Sequence, residues 1–259
     1  MEALGRILNK VRANTQDLKC QNQNSQENLS ATTLYNCELC KDTGYIIIPN
    51  ENSQPTFKQC ECLKKEIVKR QWNNSGINIE TATQTFNTFK AWNDSSKVAK
   101  ETAIEYFQNF KKIRKNKQNS IMLCGQVGSG KTHLSIALAI NFMKKGYKVV
   151  YMPYRDVITK VKQNMTDEEY YKKTISKYQV AEILLIDDLY KGKINESDIN
   201  IMFEIINYRY LNRLPIIVSS EFVMERMLNF DEGIGSRIYQ MCKDYIIEIE
   251  GKENNYRLK

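Results

Sequence analysis

The chain has 259 residues, enough for one large domain or for a medium-sized domain with a small one beside it. Its 38 Lys and Arg residues against 30 Asp and Glu residues give a net charge of +8, which suits a polyanionic partner such as nucleic acid. No apolar run approaches the roughly 20 residues that cross a bilayer, and the first residues lack the pattern of a signal peptide. We therefore expect a cytoplasmic protein without a membrane partner, whose seven cysteines are thiols or metal ligands.

Composition and periodicity divide the chain into four predicted segments. An amphipathic pattern and then a polar stretch rich in Asn, Gln and Ser predict a helix followed by a flexible linker. A cysteine-containing module follows, then a polar linker that carries aromatic residues, and finally a long region in which strands and helices alternate. The predicted boundaries of these four segments are 1–33, 34–76, 77–94 and 95–259.

Four cysteines in two close pairs predict a structural zinc site. Cys37-x-x-Cys40 precedes two short β-like runs, and Cys60-x-Cys62 follows the second run. A hairpin would bring the two pairs together, and four thiolates suit tetrahedral Zn²⁺ without leaving an open position for chemistry. The alternative is a set of small buried cysteines without a metal.

The alternation of elements in the last segment predicts a doubly wound α/β fold with a parallel sheet. The run 182–187 is almost continuously apolar, as expected for a strand buried on both faces. The predicted elements are, in chain order, a helix over 95–113, a strand over 121–124, a helix after a glycine loop, a strand over 148–152, helical stretches within 154–178, a strand over 182–187, a helix over 197–211, a strand over 215–219, short helices over 224–228 and 234–241, and a strand over 244–249.

The glycine loop after the first strand of this region predicts a P-loop that binds ATP. Its sequence fits G-x-x-x-x-G-K-[ST] and stands between a strand and a helix, as this motif requires. Glycines let backbone N–H groups point at phosphate oxygens, the lysine neutralises the β- and γ-phosphates, and the threonine hydroxyl holds Mg²⁺. The predicted nucleotide-binding residues are Gly125, Gln126, Val127, Gly128, Ser129, Gly130, Lys131, Thr132 and His133.

Further polar residues predict the rest of an ATPase site. Asp187 and Asp188 end the apolar strand 182–187 in the Walker B form, so the first would bind Mg²⁺ and the second would orient the attacking water. Ser220 ends the next strand, where it could contact the γ-phosphate. Arg237 is either a surface arginine or a finger for a neighbouring subunit's γ-phosphate, and Arg257 could sense the nucleotide in its own subunit.

Together these motifs resemble AAA+ ATPases, specifically the bacterial and phage helicase loaders of the DnaC/DnaI type. The likeness covers roughly residues 37–259, and it includes the four-cysteine element of the Gram-positive and phage members. It implies a protein that uses ATP to deliver a hexameric replicative helicase onto DNA, in an ATP-dependent homo-oligomer. It also implies that Arg237 is the finger that acts in trans, and that Arg257 is the sensor-2 residue.

The chain departs from the loader pattern at three positions. Glu221 replaces a common Asn, so we assign the sensor-1 role to Ser220. Tyr190 stands where many members have Gly. Asp188 stands where most AAA+ proteins have Glu and is one methylene shorter, which predicts slow, switch-like hydrolysis.

The segment 154–178 falls where loaders and initiators carry extra helices that contact single-stranded DNA. Its basic and aromatic residues suit backbone neutralisation with base stacking. The predicted DNA-binding residues are Tyr154, Lys160 and Lys162.

Two other functions remain open at this stage. A transposition helper ATPase of the IstB type would share the ATPase core, although the four-cysteine module favours a loader. An ATP-binding scaffold with little turnover would use the same module to recruit a partner. A small-molecule kinase fits less well, because the acid pair and the late arginines would have no role in it.

Overall fold

A computed structural model describes residues 35–48, 55–63, 66, 70, 75–77 and 83–258. The predicted N-terminal helix and linker, and most of the charged stretch after Cys62, lie outside the described residues. Contacts divide the chain into two compact units, Met1–Lys69 and Arg70–Lys259.

The first unit contains an antiparallel hairpin, and the second contains alternating strands and helices. The helices and strands of the described residues are β1 (Tyr45–Ile48), β2 (Thr56–Gln59), α1 (Asp94–Ile113), β3 (Ile121–Gly125), α2 (Lys131–Lys144), β4 (Val149–Pro153), α3 (Tyr154–Gln163), α4 (Glu168–Gln179), β5 (Ile183–Leu189), α5 (Glu196–Leu211), β6 (Ile216–Ser220), α6 (Met224–Phe230), α7 (Glu232–Cys242) and β7 (Ile246–Ile249).

The second unit is built on a five-stranded parallel sheet in the order β4-β5-β6-β3-β7. Alternate residues of β5 enter different cores: Leu184 and Ile186 pack on one face of the sheet, and Ile183 and Leu185 pack on the other. Both faces are therefore covered, which is the physical reason for the apolar run in this strand. The predicted doubly wound α/β fold is confirmed.

Element boundaries differ from the sequence prediction by at most two residues, and one difference affects the site. The strand β5 continues to Leu189, two residues past its predicted end, so Asp188 lies within the strand rather than after it. Asp188 has a φ of 56°, and a register irregularity between Ile186 and Leu189 accompanies it. The pair of acids is thus held by backbone pairing on both sides.

The helix α1 begins with a capping box that also ties the two ends of this unit together. The Asn93 side chain accepts a hydrogen bond from Ser96 N at 2.9 Å, and Ser96 Oγ accepts one from Asn93 N. Such a cap contributes about 1 kcal/mol. The Nδ2 group of Asn93 also donates to Asn254 Oδ1, so the residue that caps α1 also holds the C-terminal segment.

A buried arginine on α5 joins the end of α4 to the amino ends of β5 and β6. Arg209 has no exposed surface, and its guanidinium donates to the carbonyl oxygens of Tyr178, Gln179, Ala181 and Pro215 at 2.7–3.0 Å. Burial lowers its pKa to about 9. These bonds satisfy carbonyls at the end of α4 and at the starts of β5 and β6.

In the first unit, β1 pairs with β2 in antiparallel register, with Tyr45 opposite Gln59 and Ile48 opposite Thr56. The predicted hairpin is therefore present. Across the part of the chain that the structure describes, no helix has the length and apolar character needed to span a membrane.

Candidate nucleotide site and cysteine cluster

A cavity of about 470 Å³ opens beside the glycine loop, at the carboxyl ends of the parallel strands. Its lining joins the loop to both strand ends, to the segment before α1 and to the C-terminal segment. The lining residues are Gln84, Thr88, Phe89, Lys90, Trp92, Val127, Gly128, Ser129, Gly130, Lys131, Thr132, His133, Asp187, Asp188, Lys191, Glu221, Tyr256 and Arg257. We call the part formed by residues 127–132, Asp187 and Asp188 the phosphate end. We call the part formed by Phe89, Trp92 and Tyr256 the aromatic end.

The glycine loop adopts a backbone that side chains would block. Gly128 and Gly130 have φ values of 74° and 89°, in the left-handed region. A Cβ atom on Gly128 would lie 2.0 Å from Asn255 Oδ1, and one on Gly130 would lie 2.6 Å from the Phe89 ring. The loop thus requires glycine for its own shape and for contact with both flanking segments.

Lys131 is the first residue of α2, and its ammonium lies at the mouth of the loop. Its Nζ donates to the carbonyl oxygens of Gly125 at 2.9 Å and Gln126 at 2.6 Å. Burial lowers the pKa of Lys131, while the charges of Glu221 and Asp188 oppose that shift. The ammonium is therefore placed beside the cavity, where it can neutralise phosphate.

Asp187 receives hydrogen bonds on both of its oxygens. Thr132 Oγ1 donates to Oδ1 at 3.0 Å, Ser219 Oγ also donates to Oδ1, and the Tyr151 hydroxyl donates to Oδ2 at 3.1 Å. Burial raises the pKa of Asp187, and the hydrogen bonds oppose this effect. The two predicted Mg²⁺ ligands, Thr132 and Asp187, are in direct contact. Their hard oxygen atoms fit this ion, which would neutralise and orient the phosphates.

Asp188 is paired with a lysine that the sequence analysis did not single out. Lys191 Nζ lies 2.8 Å from Asp188 Oδ2 and 3.4 Å from Glu221 Oε1, and all three residues line the cavity. The hydrogen bond with Asp188 is the main cause of the raised pKa of Lys191. The sequence does contain an indication of this pair. Lys191 follows Asp188 by three residues, and a turn over that distance can bring the two side chains together.

Ser220, the predicted sensor-1 residue, is not brought to the cavity. It is fully buried, its Oγ donates to Leu189 O at 2.8 Å, and the same oxygen accepts from Phe222 N. Ser219 contacts Asp187 instead, and Glu221 lines the cavity. Because neighbouring residues of a strand point to opposite faces, Ser219 and Glu221 point towards the site and Ser220 points away from it.

The aromatic end was not predicted as a binding surface. Trp92 packs against Tyr256 with ring centroids 5.0 Å apart, and Phe89 packs edge-on against His133 at 5.3 Å. His133, a predicted nucleotide-binding residue, contacts the segment before α1, since its Nε2 lies 2.9 Å from Thr85 O. The aromatic residues pack that segment against the core, and they also line the cavity.

The two late arginines occupy different places. Arg257 lines the cavity, next to the Gly128 carbonyl that accepts a hydrogen bond from Tyr256 N. Arg237 is absent from the lining; its Nε donates to Asn207 Oδ1 at 3.0 Å, and its guanidinium packs 4.9 Å from the centre of the Phe203 ring. These positions fit a role in cis for Arg257, and they exclude direct contact of Arg237 with its own cavity in this conformation.

The structure places the three predicted DNA-contacting residues in different surroundings. Tyr154 is only 3% exposed and packs edge-on against Tyr190 in the core, so it cannot stack on a base in this conformation. Lys162 is half-buried, and its Nζ forms an ion pair with Asp198 at 2.7 Å. Lys160 is exposed. The sequence pattern identified a basic segment but not which side of α3 faces the core.

The four predicted cysteines meet in the first unit. Their Sγ atoms all lie within 4.8 Å of one another, with Cys37 to Cys60 at 3.7 Å and Cys40 to Cys62 at 3.2 Å. Tetrahedral Zn²⁺ with Zn–S bonds of about 2.3 Å sets S–S distances near 3.8 Å, so the donor set fits zinc. A backbone hydrogen bond from Cys40 is the main cause that lowers the pKa of Cys37 to about 7.

The parallel sheet and the phosphate end define a P-loop nucleotide-binding protein. More particularly, residues 65–259 match the family described as IstB-like ATP binding protein, and the chain belongs to this family. Its predicted kinship with helicase loaders of the DnaC/DnaI type is confirmed at the level of the fold.

Two proteins of Bacillus subtilis (strain 168) are similar over most of the chain. The protein YqaM is 40% identical over 228 residues, which are 83% of this chain and 72% of YqaM. The phage-like element PBSX protein XkdC is 35% identical over 240 residues, or 89% of each chain. Among solved structures, the DnaC helicase loader aligns with a TM-score of 0.54 and 24% identity, covering 70% of this chain and 99% of that chain.

Proposed function

We propose that this protein is an ATP-dependent loader that delivers a hexameric replicative helicase onto single-stranded DNA when replication starts. The observation that carries the proposal is the four-cysteine cluster in a compact unit of its own, in the same chain as the nucleotide cavity. A Zn²⁺ ion held by four thiolates would stabilise a small surface for partner binding. The DnaC helicase loader, which has the same ATPase fold, supports this choice.

The proposed organisation follows the four predicted segments. Residues 1–33 form a helix and a linker, and 34–76 form the zinc module that binds the helicase. Residues 77–94 connect this module to the ATPase domain at 95–259. In this proposal Phe89 and Trp92, within the connecting segment, also serve the nucleotide cavity. The site of action is the cytoplasm.

In the proposed chemistry the chain hydrolyses ATP slowly. Lys131 and the loop amides bind the phosphates, and Thr132 and Asp187 hold Mg²⁺. Asp188 orients the attacking water, and its carboxylate lies 2.8 Å from Lys191 Nζ. Because aspartate is one methylene shorter than glutamate, it positions the water less well, which favours slow, switch-like turnover.

Assembly of several copies on DNA completes the proposal. Arg237 offers its guanidinium to the γ-phosphate held by a neighbouring copy, in agreement with its place outside its own cavity. Lys160 contributes to the single-strand contact, together with the exposed Lys173 and Lys177 on α4. These lysines would neutralise the DNA backbone without base readout.

The test is capture of the purified cognate helicase hexamer by the full-length protein, with Mg²⁺ and either ATP or no nucleotide. Cys40→Ser should abolish capture, and Lys131→Ala should remove its nucleotide dependence and the delivery of helicase to single-stranded DNA. Lys144→Ala, an exposed lysine on the same helix, serves as the matched control. Failure of the wild-type protein to bind the helicase under either condition would refute the loader proposal.

A transposition helper ATPase is the second candidate, and the family match over residues 65–259 favours it. Such a protein would capture a transposase and DNA rather than a helicase, so both partners belong in the same assay. A scaffold with little turnover is distinguished by Lys131→Ala, because a scaffold would keep its partner and its effect without nucleotide.

A further inference from the structure

Lys191 is a cavity residue that the ATPase mechanism above uses only as a partner of Asp188. Its Nζ bridges two carboxylates at the ends of adjacent strands, 2.8 Å from Asp188 Oδ2 and 3.4 Å from Glu221 Oε1. It lines the same cavity as Lys131, on the side of the Walker B acids. The bridge therefore lies in the same cavity as the phosphate end.

The turn that carries Lys191 is constrained from several sides. Asp188 and Tyr190 have φ values of 56° and 62°, which non-glycine residues adopt only when the surroundings hold them. The Lys191 N–H donates to Asp188 O at 3.1 Å and closes the turn. Tyr190 is 1% exposed, and its ring packs 4.9 Å from Phe230 and 5.7 Å from Tyr154. The backbone of Lys191 is fixed, while its side chain extends into the cavity.

The charges around this ammonium create a competition. Asp188 and Glu221 are acceptors for Lys191, and they also repel any anion that enters the cavity. A terminal phosphate carries more negative charge than either carboxylate and is a strong acceptor for a lysine point charge. Only a triphosphate places such a group beyond the loop. The ammonium therefore gains a stronger acceptor when ATP binds and gains none when ADP binds.

We propose that Lys191 senses the γ-phosphate: its ammonium leaves the bridge between Asp188 and Glu221 and binds the terminal phosphate of ATP. This inference rests on the proposed binding of ATP in the cavity. Two consequences follow from the exchange. The protein prefers triphosphate over diphosphate, and the Asp188 carboxylate becomes free to accept a hydrogen bond from water only when a γ-phosphate is present.

The test compares the affinities of the full-length protein for ADP and for the non-hydrolysable β,γ-methylene analogue of ATP, both with Mg²⁺, by calorimetry. Lys191→Met should weaken binding of the triphosphate by about tenfold or more, the loss expected for a charged hydrogen bond, and binding of ADP by less than about twofold. Lys191→Arg should keep most of the preference. Lys193→Met, an exposed lysine in the same loop, should behave as wild type.

The Lys191→Met substitution is also made in the Asp188→Asn variant. This comparison distinguishes direct contact of Lys191 with the phosphate from simple neutralisation of the Asp188 charge. In Asp188→Asn the bridge is weakened, so a direct contact predicts that Lys191→Met still lowers triphosphate affinity at least about fivefold. Equal losses for ATP analogue and ADP, or disappearance of the effect in the Asp188→Asn background, would overturn the inference. Absence of nucleotide binding in the wild-type protein would instead remove the proposed function.

Discussion

The two ends of the nucleotide cavity are built in different ways. The phosphate end comes from one short loop after β3 and from two acids on β5, all fixed by the buried sheet. The aromatic end joins a segment before α1 to the C-terminal segment; Asn93 and Asn254, which connect them, are 161 positions apart. Phosphate binding is therefore a local property of this chain, whereas the rest of the cavity depends on long-range packing.

Removal of the main phosphate ligand should break the phosphate end alone. Lys131→Ala is expected to lower the affinity for ATP by at least about a hundredfold, because a charged ligand to two phosphates is lost. Inorganic tripolyphosphate should lose affinity to the same extent. Calorimetry with both ligands measures this, with Lys144→Ala as control. Retained binding of tripolyphosphate would place the phosphates elsewhere.

Gly128 is the point where the loop and the C-terminal segment meet, so a change there should disturb both ends. Gly128→Ala places a methyl group 2.0 Å from Asn255 Oδ1 at a φ of 74°. We expect the free energy of unfolding to fall by about 1–2 kcal/mol from the left-handed backbone alone, and ATP affinity to fall with it. Adding Asn255→Ala should restore part of the ATP affinity, which thermal unfolding and calorimetry can follow. No rescue would mean that the contact with Asn255 is unimportant.

Loss of an aromatic face should break the other end selectively. Trp92→Ala is expected to weaken ATP binding about tenfold, since stacking of a base on an aromatic ring contributes ~1–3 kcal/mol. Tripolyphosphate has no base, so its affinity should be unchanged. Phe203→Ala, which removes a half-exposed aromatic residue outside the cavity, is the matched control. A parallel loss for both ligands would argue that Trp92 only supports the fold.

The smallest expected effect concerns the hydrogen bond from Tyr151 to Asp187. Asp187 must be ionised to bind Mg²⁺, and burial raises its pKa, so Mg²⁺-dependent ATP affinity is lost as the pH falls through that raised value. The Tyr151 hydroxyl favours the ionised form. Tyr151→Phe should therefore raise the pKa of Asp187 further and move the loss of affinity to higher pH, with a change of no more than about threefold at neutral pH.

The pH titration of nucleotide affinity is compared with that of Tyr147→Phe, a tyrosine that packs on Phe110 instead of lining the cavity. Superimposable pH profiles for wild type and Tyr151→Phe would show that this hydrogen bond does not tune Asp187.

Patterns that are local in sequence predicted the parallel sheet, the glycine loop and the meeting of the four cysteines. The P-loop needs eight adjacent residues between a strand and a helix, and the apolar run before Asp187 could be placed only in a buried strand. The cysteine pairs flank a short hairpin, so their meeting follows from chain geometry.

Features that depend on packing were not accessible in this way. Trp92 and Tyr256 are far apart in sequence, and nothing in either segment indicates that their rings meet. The direction of Ser220 depends on which residue of β6 faces the cavity, and the burial of Tyr154 depends on the rotation of α3 against β5. Lys191 reaches Asp188 only because two non-glycine residues adopt left-handed backbone conformations, which residue preferences argue against.

The buried guanidinium of Arg209 has a consequence for motion in the basic helical segment. It holds carbonyl groups at the carboxyl end of α4 and at the strand that follows, so that end cannot open without leaving a charge buried and its acceptors unpaired. Near the amino end of α4 the corresponding contact is an exposed hydrogen bond from the Tyr171 hydroxyl to Glu204 Oε2 at 2.8 Å, which opens at lower cost. Amide hydrogen exchange should therefore be slow around residues 178–183 and faster near 165–170. We therefore expect the amino end of α4 to open locally before its last turn does.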